Sequence, residues 1–355
     1  MVNEIRKNNI KDHYNYGIQL LRMIMCIGVV IIHCADERTT GFQSFIYFIA
    51  TNAVGTFMLI AFYFNKKVSD MHFDQLVKKR ISRIYLPVII WAFIYSVIKI
   101  PVGLIDKEES ISLFDFVWQI MTGHDARLNP AMWFQLDLLM LTVLYWLYVN
   151  RLRTGIKTKE IILVASVLVF VYLLQYLGIN AFLFGLLRFE LRYPIGRVIE
   201  MVPFAIIGSL AAYVVDNNLV NIKRYSLLAI VVICLIYMLR NDIGINPQYS
   251  FGYAGGEKLI VATALFILFS SADSLIMKGG SIVKGIVYNI SKYTLGIYSM
   301  HIIVNKILCA AKLKFKFPLE KRTIVWSLLV YVTCYAISWI SCKIIPDKYT
   351  KYIFE

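Results

Sequence analysis

Arg22 and His33 stand eleven residues apart in a predominantly apolar N-terminal run, Gly17 to Cys34. On a helix, eleven residues advance about 16 Å and turn about 1100°, three turns plus roughly 20°, so the two side chains share one face. An ionisable group inside hydrocarbon is costly and is by default a functional candidate. Histidine is the side chain whose ordinary pKa suits a general base at neutral pH, whereas a guanidinium cannot act as a base but can grip phosphate. A bland alternative stays open: an arginine snorkelling to lipid phosphates and a histidine bonded to a neighbouring helix. A second cluster, Lys78-Lys79-Arg80-Ile81-Ser82-Arg83, precedes Pro87. Arg80 and Arg83, three apart, are neighbours on a helix and suit one polyphosphate; the cytoplasmic excess of basic residues in membrane proteins would give the same run. His301, in a later apolar run, is either a second acid or base, a substrate-orienting group, or a satisfied interior histidine.

The elements that must position these groups follow from composition. Of 355 residues, 59% are hydrophobic and 17% charged, with mean hydropathy +0.65. So little charge cannot coat so much apolar surface in water, which excludes an ordinary soluble domain. The chain reads as an all-α polytopic membrane protein, a single domain over 1–355 with no appended soluble domain. Spans of about 20 residues are expected at about 16–35, 43–64, 83–100, 131–150, 160–178, 196–215, 225–240, 258–273, 293–311 and 323–344. With the N-terminus inside, cytoplasmic segments hold 21 Lys and Arg against 14 outside, so both termini are expected in the cytoplasm. One outer loop disagrees, carrying Lys312, Lys314, Lys316, Lys321 and Arg322. Either it meets an anionic partner or a span nearby is miscounted. Arg22 interrupts the first run and no small-x-small cleavage site follows, so an uncleaved first span is expected. In the long outer segment 101–130, Ser112 to Met121 reads as a short interfacial helix or a structured loop.

The net charge of +15 is distributed between apolar runs rather than interleaved with aromatics on a soluble face, which argues against nucleic acid. The six cysteines, at 26, 34, 234, 309, 334 and 342, lie in or beside apolar stretches without a Cys-x-x-Cys pair and read as small hydrophobes. No metal site is expected.

Arg22 and His33 in an N-terminal span, then Arg80-x-x-Arg83 before the third, resemble the integral-membrane acyltransferase-3 family. Ser291 through Leu295-Gly296-Ile297-Tyr298 to His301 is similar to that family's Ser…Leu-Gly-x-Tyr-x-x-His segment. The resemblance runs from Gly17 to about Lys343. Two motifs depart from it: Leu59-Ile60-Ala61-Phe62-Tyr63 keeps only the tyrosine of Ser-Gly-Tyr, and Ala131-Met132-Trp133-Phe134 keeps the aromatics of His-x-x-Trp-Phe-Leu without the histidine, with His124 seven residues upstream. These losses suggest a divergent branch, similar to members that decorate exopolysaccharide of Gram-positive biofilms.

The resemblance implies transfer of an acyl group, acetyl or succinyl, from cytoplasmic acyl-CoA to a hydroxyl of a surface glycan or lipid-linked glycan. The protein would then lie in the bacterial plasma membrane among lipids, with a homodimer as one arrangement open to it. On that reading His33 is the base, Arg80 and Arg83 take the CoA phosphates, Arg22 lies further along the same route, and His301 assists. Asp137, Arg197 and Glu200 are further ionisable groups near spans four and six. A carboxylate facing His33 would hold its tautomer, while Arg197 and Glu200 at i, i+3 read as a structural pair. Arg188, Glu190, Arg192 and Tyr193 are expected in an outer loop, suited to glycan hydroxyls, an anionic carrier lipid, or merely solvent. Rival readings are a transporter or flippase, against which no internal repeat between 1–175 and 176–355 is visible, and a membrane sensor or transport module with a similar core.

Overall fold

The structure is a computed structural model that describes residues 15–35, 41–65, 71–99, 132–151, 189–217, 219–242, 256–315 and 320–354. Its helices are α1 (Tyr16–Cys34), α2 (Phe42–Ala50), α3 (Ala53–Tyr63), α4 (Phe73–Arg80), α5 (Leu86–Lys99), α6 (Trp133–Arg151), α7 (Phe189–Asp216), α8 (Ser226–Asp242), α9 (Gly256–Lys278), α10 (Gly280–Lys292), α11 (Thr294–Phe315), α12 (Ile324–Ile344) and α13 (Asp347–Ile353). No strand occurs among the described residues. Among the described residues, six helical segments are long and apolar enough to cross a membrane, and α2 with α3, bent by 44° between them, makes a seventh if counted as one span. This is a multi-pass membrane protein. The expected span at 160–178 and the expected helix Ser112 to Met121 lie outside the described residues.

Three local departures from uninterrupted spans have physical causes. Asn52 stands at the α2–α3 bend, where its amide donates to the Phe48 carbonyl at 2.7 Å and its own carbonyl takes the Thr56 hydroxyl at 2.8 Å. Side-chain bonds of this kind compete with the helix ladder and bend it. Between α4 and α5 the chain takes a five-residue π turn, Ile81–Tyr85. Pro87 lacks an N–H and its ring would clash with the carbonyl of Arg83 in a regular helix, which the wider turn relieves. The third departure is α10, a separate amphipathic helix that ends at Tyr293 before α11 begins; the sequence reading had assigned it no element.

α1 is the axis of the molecule. Ile18, Leu21, Met25 and Val29 face one apolar cluster with α3, α6, α7 and α9, while Cys26, Val30 and Cys34 face a second with α5, α11 and α12. A helix buried on two sides must be apolar on both, which is why its sequence shows a run rather than a stripe. Its N-terminus is held from two directions. Asn15 Oδ1 accepts the Ile18 N–H at 2.9 Å, and Asp273 Oδ1 of α9 accepts that of Tyr16 at 2.7 Å, so orphan donors are satisfied and a carboxylate sits at the positive end of the helix. Gly17 and Gly208 permit close approach, since a Cβ on either would come within 3.0 Å of the backbone carbon of Phe269 or Leu59.

Candidate active site

The C-terminal end of α1 opens onto a cavity of about 580 Å³, walled by His33, Cys34 and Ala35 of α1, Tyr47 of α2, Asn305 and Cys309 of α11, and Lys321, Arg322 and Trp326 around the start of α12. His33 is exposed to this space. Behind it lies His301 of α11, completely buried, with the two imidazole centroids 5.1 Å apart. His301 Nδ1 lies 2.6 Å from the Tyr298 carbonyl oxygen. A carbonyl only accepts, so Nδ1 carries the proton and Nε2 is left as an acceptor. That Nε2 is buried with no hydrogen-bond partner among the described residues, a rare feature for a buried polar atom. Two imidazoliums at this separation would repel, so the pair carries at most one positive charge. The sequence thus named both histidines, and the fold brings them together across 268 residues.

The other end of the Arg22–His33 stripe is built differently. Arg22 Nε and Nη2 donate to the Thr294 hydroxyl at 3.1 and 2.5 Å, Nη2 also to the Ser291 carbonyl at 3.2 Å, and Nη1 to Gln19 at 3.3 Å. The guanidinium therefore caps the last turn of α10, where a cation is favoured, and ties α1 to the α10–α11 break. Gly296, two residues on, donates its otherwise orphaned N–H to the Phe354 carbonyl at 3.1 Å, and Trp91 Nε1 donates to the Ile353 carbonyl at 3.0 Å. Cys26 and Val30, between Arg22 and His33 on the stripe, are completely buried. The two residues do share one face, both against α11, but packed side chains fill the interval rather than an open path.

Arg80 and Arg83 flank the start of the π turn. Arg80 is half-buried and its Nη2 donates to Asn65 Oδ1, while the Asn65 amide donates to Thr142 at 3.4 Å. Its Nε is buried without a partner among the described residues. Burial, and then the charge of Arg83, push the Arg80 guanidinium below its ordinary value, yet it stays protonated at neutral pH. Arg83 is exposed. One cation is thus held by Asn65, just past the end of α3 and itself bonded to α6, and the other is open to solvent; the structure ties neither to Arg22 by a described contact.

The remaining sequence candidates fall elsewhere. Asp137, 1% exposed, lies within electrostatic reach of Arg197 and Glu200, and the Arg197 guanidinium stacks over Trp133 at 4.8 Å. Asp137, on α6, is thus a third ionisable group beside the two residues expected from sequence to pair. The ring facing His33 is that of His301 rather than a carboxylate. Glu190, Arg192 and Tyr193 are helical, on the first turns of α7 ahead of its apolar stretch Arg197–Val215, where a loop was expected; Arg188 and His124 lie outside the described residues. What sequence reasoning missed is Asn305, whose only signal was a polar residue one turn after His301. Its Oδ1 accepts Trp326 Nε1 at 2.8 Å and the Cys309 thiol at 3.7 Å.

Arg22 with Ser291 and Thr294, and His33 with His301, thus stand at the two ends of the α1–α11 contact. A family model described as "Acyltransferase domain" matches residues 15–343, a stretch that contains all of them. No curated protein and no solved structure matches the chain.

Proposed function

We propose a function on the premise that this chain belongs to the acyltransferase-3 family: as a membrane acyltransferase it moves an acetyl or succinyl group from acyl-CoA to a hydroxyl of a surface glycan. His33, open to the cavity and backed by the buried Nε2 acceptor of His301, is the observation that carries this reading. A sugar hydroxyl is a weak nucleophile until a base takes its proton. In the proposed step the hydroxyl oxygen attacks the thioester carbonyl, His33 receives the proton, the C–S bond breaks as the C–O bond forms, and the proton passes to the departing CoA thiolate. His301 does not reach the cavity wall. It acts as a positioning residue, holding His33 and sharing its single transient charge.

The N-terminal end of α1 faces the cytoplasm in this proposal, with Arg80 and Arg83 taking the CoA phosphates. The fixed fork of Arg80 and the open one of Arg83 suit a flexible polyphosphate. Arg22 belongs to the scaffold between the two ends, since four of its five N–H groups already meet protein acceptors. The test is direct. The full chain in lipid nanodiscs, given acetyl-CoA or succinyl-CoA and glycan from the native cell surface, should release CoA and leave an ester on the glycan detectable by mass spectrometry. Absence of both, with protein that is folded by thermal melt, would sink the proposal.

A further inference from the structure

The polar atoms that the cavity wall offers a ligand are mostly donors. With Oδ1 of Asn305 occupied by Trp326 and Cys309, its amide N–H groups are what remain for a guest. Lys321 and Arg322 supply full positive charge, and no carboxylate lines the cavity among the described residues. The backbone at Arg322 is held in place. It has φ +63, the one positive φ of a non-glycine residue among those described, and it forms a bridge to Ala35, beside His33. Left-handed backbone is costly for a residue with a side chain and persists where the surroundings require it. The same residues belong to the outer loop whose five cations defied the charge bias of the rest of the chain. Lys312 and Lys314 sit in the last turn of α11, where the helix dipole accounts for them; Lys321 and Arg322 have no such reason to be there.

We infer that the cavity is an anion subsite, in which Arg322, Lys321 and the Asn305 amide hold a carboxylate or phosphate beside His33. Its place in catalysis rests on the acyl-transfer reading; the binding itself does not. The anion arrives either on the acyl group, as the free carboxylate of a dicarboxylic half-thioester, or on the acceptor glycan. In both cases it is anchored while the reacting carbonyl or hydroxyl stays at the imidazole, which favours charged substrates over neutral ones.

Cys309, on the cavity wall, reports on this without activity. The full chain in nanodiscs is treated with a sulfonate-bearing and a trimethylammonium-bearing methanethiosulfonate, and modification of the Cys309 peptide is followed by mass spectrometry, each rate normalised to that with a free thiol. Focused positive potential should make the anionic reagent at least about tenfold faster. Arg322→Gly, which keeps the backbone conformation, combined with Lys321→Gln should abolish the preference, while Arg322→Lys should retain it. Equal rates in the wild type, or a preference that survives removal of both charges, would overturn the subsite. Protection assays then identify the source. Succinyl-CoA shielding Cys309 better than acetyl-CoA assigns the anion to the donor, and a uronate-bearing oligosaccharide shielding it better than a neutral one assigns it to the acceptor. If neither charged probe outperforms its neutral partner, the inference fails. Absence of acyl transfer with the reagent preference intact would instead count against the catalytic reading alone.

Discussion

The two ends of the α1–α11 contact use the same two helices for opposite purposes. At one end Arg22 meets a hydroxyl, a backbone carbonyl and a glutamine amide and closes the structure. At the other, His33 faces an open cavity, and His301 keeps a buried nitrogen without a partner. A hydrogen-bonded, filled end lends rigidity; an end with unengaged donors and acceptors can take a ligand. The contrast teaches that an ionisable residue in a membrane helix is not by itself a reacting group. Its partners decide.

Substitutions should separate the two ends by what they damage. The largest effect is expected at the open end. His33→Ala should lower the rate of acyl transfer about 10²–10⁴-fold, with donor affinity and melting temperature close to the wild type, as read by single-turnover kinetics and a thermal melt in detergent. Loss of folding in place of rate would make the two ends alike. Next in size is the closed end. Arg22→Ala takes the donors from the buried Thr294 hydroxyl and leaves the Ser291 carbonyl only the Thr294 hydroxyl, and should cost about 1–3 kcal/mol, seen as a lower melting temperature. Arg22→Ala that melts normally but no longer binds acyl-CoA would return this residue to the donor site.

Both ends were partly legible in the sequence, and for a physical reason. The spacing of Arg22 and His33 fixes their common face because helix geometry is local, and the apolar runs marked most of the described spans because hydrocarbon forces every backbone bond to close within a segment. What joins residues far apart in the chain was not legible. The pairing of His33 with His301, the capping of α10 by Arg22, and the third charge at Asp137 all depend on how helices pack. The π turn at Ile81–Tyr85 was hidden for another reason: Pro87 announces a disturbed helix but not which distortion relieves it. The five-cation loop was the most useful anomaly: the charge bias left it unexplained, and two of its members, Lys321 and Arg322, line the cavity.

Smaller effects would sharpen the contrast at the level of the donor. The double variant Arg80→Ala and Arg83→Ala should weaken acetyl-CoA binding about tenfold or more, since charge-assisted bonds to phosphate contribute about 1.5–3 kcal/mol each, with the turnover of bound donor preserved. Calorimetry in nanodiscs checks this, and an unchanged dissociation constant would leave these residues as topological charge alone. Asn65→Ala, which frees Arg80 from its support by Asn65 and, through it, α6, should produce a change of only about two- to threefold in the same constant, in keeping with the loss of one positioning bond worth about 0.5–1.5 kcal/mol when only partly coupled to the ligand.

The central claim is that His33 and His301 act as a unit. A double-mutant cycle on the rate of acyl transfer, using His33→Ala, His301→Ala and both together, tests it most directly, because residues that act as a unit are strongly non-additive. With His33 gone, removing His301 should cost no more than about a further twofold, although His301→Ala alone slows transfer by at least about tenfold. Losses that simply multiply would contradict the claim and place the two histidines in separate roles.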